Sequence, residues 1–228
     1  MNDLSRVDSQ STTVPVWDLI LQAARGGQRL DLGERHIVSL IDEAATHRDK
    51  PELVPTRRNV DSTRITRLLN SELPSEFADE VASPPDLTAL KAGVLLLGDS
   101  LDEGHRLAQS VEGEGVHAAG DYWHAIMHRR EPDYSNSKYW FRRVGRHPIF
   151  ARLAEKAAER LRATSSSQAE EWASRIGSNE SWDPFAFVDL CEHCASAADC
   201  QFETAAREIQ AVEMRLLLEQ TFADAFGR

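Results

Sequence analysis

Hydrophobic positions along this chain recur at helical spacing in segment after segment, and no stretch alternates apolar and polar residues over strand length. The clearest stripe is Leu87, Leu90, Val94, Leu97, Leu101 and Ala108, with alternating steps of three and four; it predicts one long helix capped by Asp86. The same stripe, carried past Leu101, passes through His105. A turn follows at Glu112 to Gly115 (EGEG), and a further helix is expected from His117 or Ala118 to Glu131, stopped by Pro132. These two helices should form an antiparallel hairpin.

The remaining segments read in the same way. Helices are expected over residues 17–24, from Gly33 through the stripe Ile37, Leu40, Ile41 and Ala44, and around residues 65–69, with prolines at 51, 55, 74, 84 and 85 breaking the pattern between them. After the hairpin, Ser137 to Val144 should be a short helix closed by Gly145. Pro148 opens another with Phe150, Leu153, Ala157 and Leu161 on one face. A short helix carries Trp172 and Ile176, and Asp183-Pro184 starts one that runs through Phe185, Val188, Cys191 and Ala195. The last, about 202–226, has Ile209, Val212, Leu216 and Phe226 on its core side. The fold class is therefore all-α: a compact irregular bundle of about eight helices centred on the hairpin of His105 and His124. Residues 1–13 are polar and without period and are expected to be a disordered tail, with residues 14–228 forming one helical domain.

Composition changes this picture in two ways. The formal net charge of −11 over 228 residues gives no field that would attract a polyphosphate, so no nucleic-acid partner is expected. No apolar run approaches the ~20 residues needed to cross a bilayer and the first residues lack an export pattern, so no membrane partner and a cytoplasmic location are expected. The three cysteines, Cys191, Cys194 and Cys200, are then expected to be reduced thiols. Cys191 and Cys194 have the spacing of a zinc half-site, but no second pair completes it.

Chemistry concentrates between Gly120 and Pro148, GDYWHAIMHRREPDYSNSKYWFRRVGRHP. On the second hairpin helix His124, His128 and Glu131 are spaced four and three apart, so they share one face. His105 lies about as far before the turn as His124 lies after it, at the same height on the facing helix. Imidazoles and a carboxylate in this arrangement suit a divalent transition metal such as zinc, iron or manganese held by His105, His124, His128 and Glu131, with Asp102 one turn before His105 placed to accept its other ring N–H. A metal-free hydrogen-bonded network of histidine, glutamate and arginine is equally compatible with the pattern. The turn after Pro132 should bring Asp133, Asn136, Lys138 and Tyr139 to the mouth of the pocket. There Glu131, Asp133, Lys138 and Tyr139 are candidates for moving protons or positioning substrate, and Arg129, Asn136 and Arg142 for binding it. Arg129, Arg130, Arg142 and Arg143 form a local basic patch that would favour a small anionic ligand. Glu213 on the last helix is a further candidate carboxylate.

The run WHAIMHRREPDYSNSKYWFRRVG, with LLLGDSLDEGHRLAQS upstream, resembles a family of bacterial and fungal proteins of unknown function. The positions matching are Asp102, His105, Gln109, His124, His128, Arg129, Glu131, Asp133, Asn136, Lys138 and Tyr139. The resemblance covers about a third of the chain and implies where a site lies, without implying a reaction. The residues themselves support two functions: a metal-dependent enzyme acting on a small molecule, or a metal-free protein that binds a small anion. An interhelical polar network in an interaction protein is a third.

Overall fold

The structure, a computed structural model, describes residues 52–55, 81–178 and 181–227. The helices expected before residue 51 and at 65–69, and the N-terminal tail, lie outside the described residues. Among the described residues eight helices account for nearly all regular structure. They are α1 (Pro84–Leu97), α2 (Leu101–Ser110), α3 (Ala119–Arg130), α4 (Tyr134–Val144), α5 (Phe150–Arg162), α6 (Ser167–Ile176), α7 (Pro184–Ser196) and α8 (Glu203–Phe226). The chain is all-α, as its periodicity implies. One addition is a minimal antiparallel ladder, β1 (Gly177–Ser178) with β2 (Ser181–Trp182), which sets Trp182 against Phe187 at 5.0 Å between ring centroids.

The expected long helix is two. Ser83, and not Asp86, caps α1: its hydroxyl accepts from the Asp86 N–H and donates to the Asp86 carboxylate, so both prolines sit in the first turn, where they remove no needed hydrogen bond. α1 then ends at Leu97. Gly98, Asp99 with φ 58° and Ser100 redirect the chain before α2 begins. A break of this kind frees carbonyls and buries a carboxylate in apolar surroundings, and Arg130 from α3 answers both. Its guanidinium donates to the Leu96 carbonyl and to the Asp99 carboxylate, and its Nε reaches the Glu52 carbonyl at 3.3 Å. Arg130 is therefore a buried plug rather than part of a surface basic patch, because the chain needs a donor at the bend.

α2 and α3 fold back on one another as the expected hairpin. Gly120 lets them approach closely: a Cβ there would lie 2.8 Å from Val111 and 3.1 Å from the Ala108 carbonyl. Asp121 secures the turn by accepting from the Gly113 N–H at 3.0 Å and from Arg143 on α4 at 3.2 Å. All 12 residues of α3 are buried, so this helix, and not the hairpin as a whole, is the centre of the domain. α1, α2, α4 and the 24-residue α8 surround it. No helix among the described residues is long and apolar enough to cross a membrane.

The cysteines depart from expectation. Cys194 and Cys200 form a disulfide across a Cα separation of 5.0 Å, because α7 stops at an extended Ala197 and the following turn returns Cys200 to its last turn. Cys191 is buried and unpaired with another cysteine, and burial pushes its thiol up to about 12, so it stays protonated.

Replacing Arg130 with alanine should cost about 3–5 kcal/mol of stability, because it strands the Asp99 carboxylate and the Leu96 carbonyl in the interior. Urea denaturation of the two proteins, followed by circular dichroism, measures the difference.

Candidate metal centre

Because α3 is buried on every side, each polar side chain it carries must find a partner inside the protein. Tyr122 donates to Glu213 at 3.2 Å, Trp123 to Thr221 at 3.4 Å, and Arg129 to Gln210 at 3.3 Å and to Glu213. Asp121 and Arg130 are satisfied at the turn and at the bend. His128 meets the Asn136 side-chain amide, 3.0 Å from Nε2. His124 is the exception. It is 1% exposed, and neither ring nitrogen has a hydrogen-bond partner among the described residues.

Two further imidazoles surround it. The His105 ring, from α2, lies 4.5 Å from the His124 ring and 5.2 Å from that of His128, while His124 and His128 stack at 4.8 Å. One nitrogen from each of the three falls within 4.8 Å of the others. Zinc–nitrogen bonds of ~2.0–2.1 Å in a tetrahedron put donor nitrogens roughly 3.4 Å apart, so small ring rotations would close this set around one ion. His105 is half-buried and gives the cluster an open side, while His124 and His128 form its floor.

The electrostatics suit a ligand role. Burial, with His128, His105 and Arg143 adding to it, lowers His124 to about 3. Burial and His105 lower His128 to about 4, against the pull of Asp133. Both rings are thus neutral at pH 7 and keep the lone pair that a metal needs.

The other expected residues separate into those at the cluster and those elsewhere. Glu131 caps the end of α3 with its carboxylate 4.0 Å from His128 Nδ1 and lies outside the group of three possible ligands. Asp133 stands 3.9 Å from the same nitrogen and caps α4 by accepting from the Asn136 N–H. Asn136, expected to bind substrate, contacts the His128 ring itself. Asp102 is exposed on α2, one turn before His105.

Lys138, expected at the pocket mouth, pairs with Asp189 on α7, which also holds Arg175 at 3.1 Å. Tyr139 is exposed and packs edge-on against Trp140 at 5.5 Å. Arg142 is exposed, 5.7 Å from the Phe185 ring. Arg129 is fully buried over Phe187 at 4.6 Å and bound to Glu213, so it is not available to an entering anion: the apolar interior around the guanidinium requires a carboxylate counter-ion, and Glu213 is that group.

Trp140 is the residue that sequence reasoning passed over. Its indole stacks on His124 at 3.8 Å between centroids and 22° between planes. A signal existed: Trp140 follows Asn136 by four, so the α4 face that meets His128 also meets His124. His147, just before α5, accepts from the Ile149 N–H at 3.5 Å. Burial, with His117 adding to it, lowers it to about 3.

These histidines make metal-free protein acid-sensitive. Each has a folded-state pKa below its unfolded value near 6.5, so the unfolded chain binds more protons once the pH falls beneath that value. Stability should be level above pH 6.5 and decline steadily toward pH 4. His147→Phe should make that decline shallower, as read from urea midpoints across the pH series in chelator.

No protein-family model, curated protein or solved structure matches this chain.

Proposed function

We propose that the chain is a metal-dependent enzyme whose His105, His124 and His128 hold one divalent transition metal, with a small molecule as substrate. The observation that carries this reading is His124. A buried imidazole with two unpartnered nitrogens costs roughly 1–3 kcal/mol per group, and of the groups in reach two are themselves imidazoles offering lone pairs. An ion among them turns that cost into three bonds.

Three imidazole nitrogen donors favour a transition metal such as zinc, iron or manganese over the oxygen-seeking magnesium and calcium. Held by His105, His124 and His128, such an ion would be reached by water from the half-buried side at His105, and it would supply Lewis-acid chemistry, lowering the pKa of water toward ~7 or polarising a substrate oxygen. Glu131 and Asp133, beside His128, are carboxylates placed to take the proton. Arg129 and Arg130, part of the expected basic patch, are paired in the interior with Glu213 and Asp99.

Elemental analysis of untagged protein purified without chelator should find close to one transition metal per chain, and the His124→Ala/His128→Ala variant should have none. Zinc added to metal-free wild type at a hundredfold excess over its Kd should stabilise it by about 2.7 kcal/mol and leave the variant unmoved. Folded wild type that carries no metal and takes up no zinc, iron or manganese would refute the reading.

A further inference from the structure

Metal-bound histidines are ordinarily oriented by a hydrogen bond from the other ring nitrogen to a carboxylate or carbonyl. His128 keeps polar groups beside its ring, with the Asn136 side-chain amide nitrogen 3.0 Å from Nε2 and the Asp133 and Glu131 carboxylates 3.9 and 4.0 Å from Nδ1. His124 does not, since no polar group contacts either nitrogen among the described residues. What fixes its ring is aromatic contact. Trp140 lies nearly parallel to it at 3.8 Å and His128 nearly parallel at 4.8 Å, which leaves the imidazole little freedom to rotate out of its plane.

Trp140 is itself held. It is 6% exposed, and the Arg143 guanidinium lies 5.1 Å from its ring centre. Arg143 in turn is anchored by Asp121 at 3.2 Å and Glu112 at 2.9 Å, residues of α3 and of the hairpin turn. The turn that sets the height of His105 against His124 therefore also anchors the ring that sets the plane of His124.

We propose that Trp140 is a positioning residue of the metal centre: its indole face orients His124 toward the ion by stacking, in the place of the missing hydrogen bond. The inference rests on the metal reading above and goes beyond it in assigning a role to a residue that is no ligand. A flat ring of sufficient area is what the role demands, so phenylalanine should serve and an aliphatic side chain should not.

Cobalt(II), titrated into metal-free full-length protein and read by its visible d–d absorption, tests this, with a competing chelator giving the Kd. Trp140→Phe should bind cobalt within about threefold of wild type and with the same band shape. Trp140→Leu should bind 10–100-fold more weakly, the range found for lost ligand-orienting groups, with a changed band, while circular dichroism shows an unaltered helical protein. Trp140→Met fills more of the space and carries the same comparison if the leucine variant does not fold. Wild-type affinity and an unchanged band in the aliphatic variant would overturn the role of Trp140 and leave the metal centre standing. Wild type that binds no cobalt would overturn the centre and the inference together.

Discussion

Everything in this domain depends on the complete burial of α3, a helix that carries Asp121, two histidines and two arginines among its apolar side chains. A surface helix resolves such a composition by turning one face to water. α3 cannot, so the surrounding elements must each present a partner. α8 supplies Glu213, Gln210 and Thr221, the α1–α2 bend supplies Asp99 and the Leu96 carbonyl, and α4 supplies Arg143 and Asn136. That demand ties the elements into one arrangement, since an ion pair buried this deeply tolerates little displacement before it becomes a liability. Against this background His124 stands out, with neither ring nitrogen partnered among the described residues.

The geometry of the cluster follows from how the chain reaches α3. The break after Leu97 turns α2 away from the line of α1, and Gly104 lets the two pack with no room for a Cβ, which would meet Leu96 at 2.8 Å. Close approach at Gly120 then sets α2 against α3. His105 arrives beside His124 through these backbone contacts.

α4 contributes the surroundings of the cluster. Asp133 caps the helix and stands near His128, Asn136 meets His128 one turn on, and Trp140 covers His124 a turn after that. One short amphipathic helix thus places a carboxylate, an amide and an indole along the two histidines that α3 provides. The arginines sort by the same logic of depth. Arg129 and Arg130 lie inward and are matched by carboxylates, whereas Arg142 and Arg143 lie outward on α4 over aromatic rings.

The helical class, the hairpin, and the shared face of His124 and His128 were legible in the sequence, because each depends on spacing along one helix and 3.6-residue geometry is local. Even the meeting of His105 with His124 was legible, since equal distances from one turn are a matter of counting. What composition could not decide was depth. An arginine reads alike on a surface patch and in a buried ion pair, and only the packing of α8 and the α1–α2 bend shows that Arg129 and Arg130 face Glu213 and Asp99. Lys138 reads as a pocket lysine until α7 brings Asp189 to it. The break at Gly98 was hidden for the same reason: the leucine stripe continues smoothly through it, and the force that sustains the bend comes from Arg130, 31 residues from Asp99 in the chain. Local periodicity determined the elements and the shared face of two of the histidines. Contacts distant in sequence determined which charges are used up, which histidine is left without a partner, and which aromatic ring lies against it.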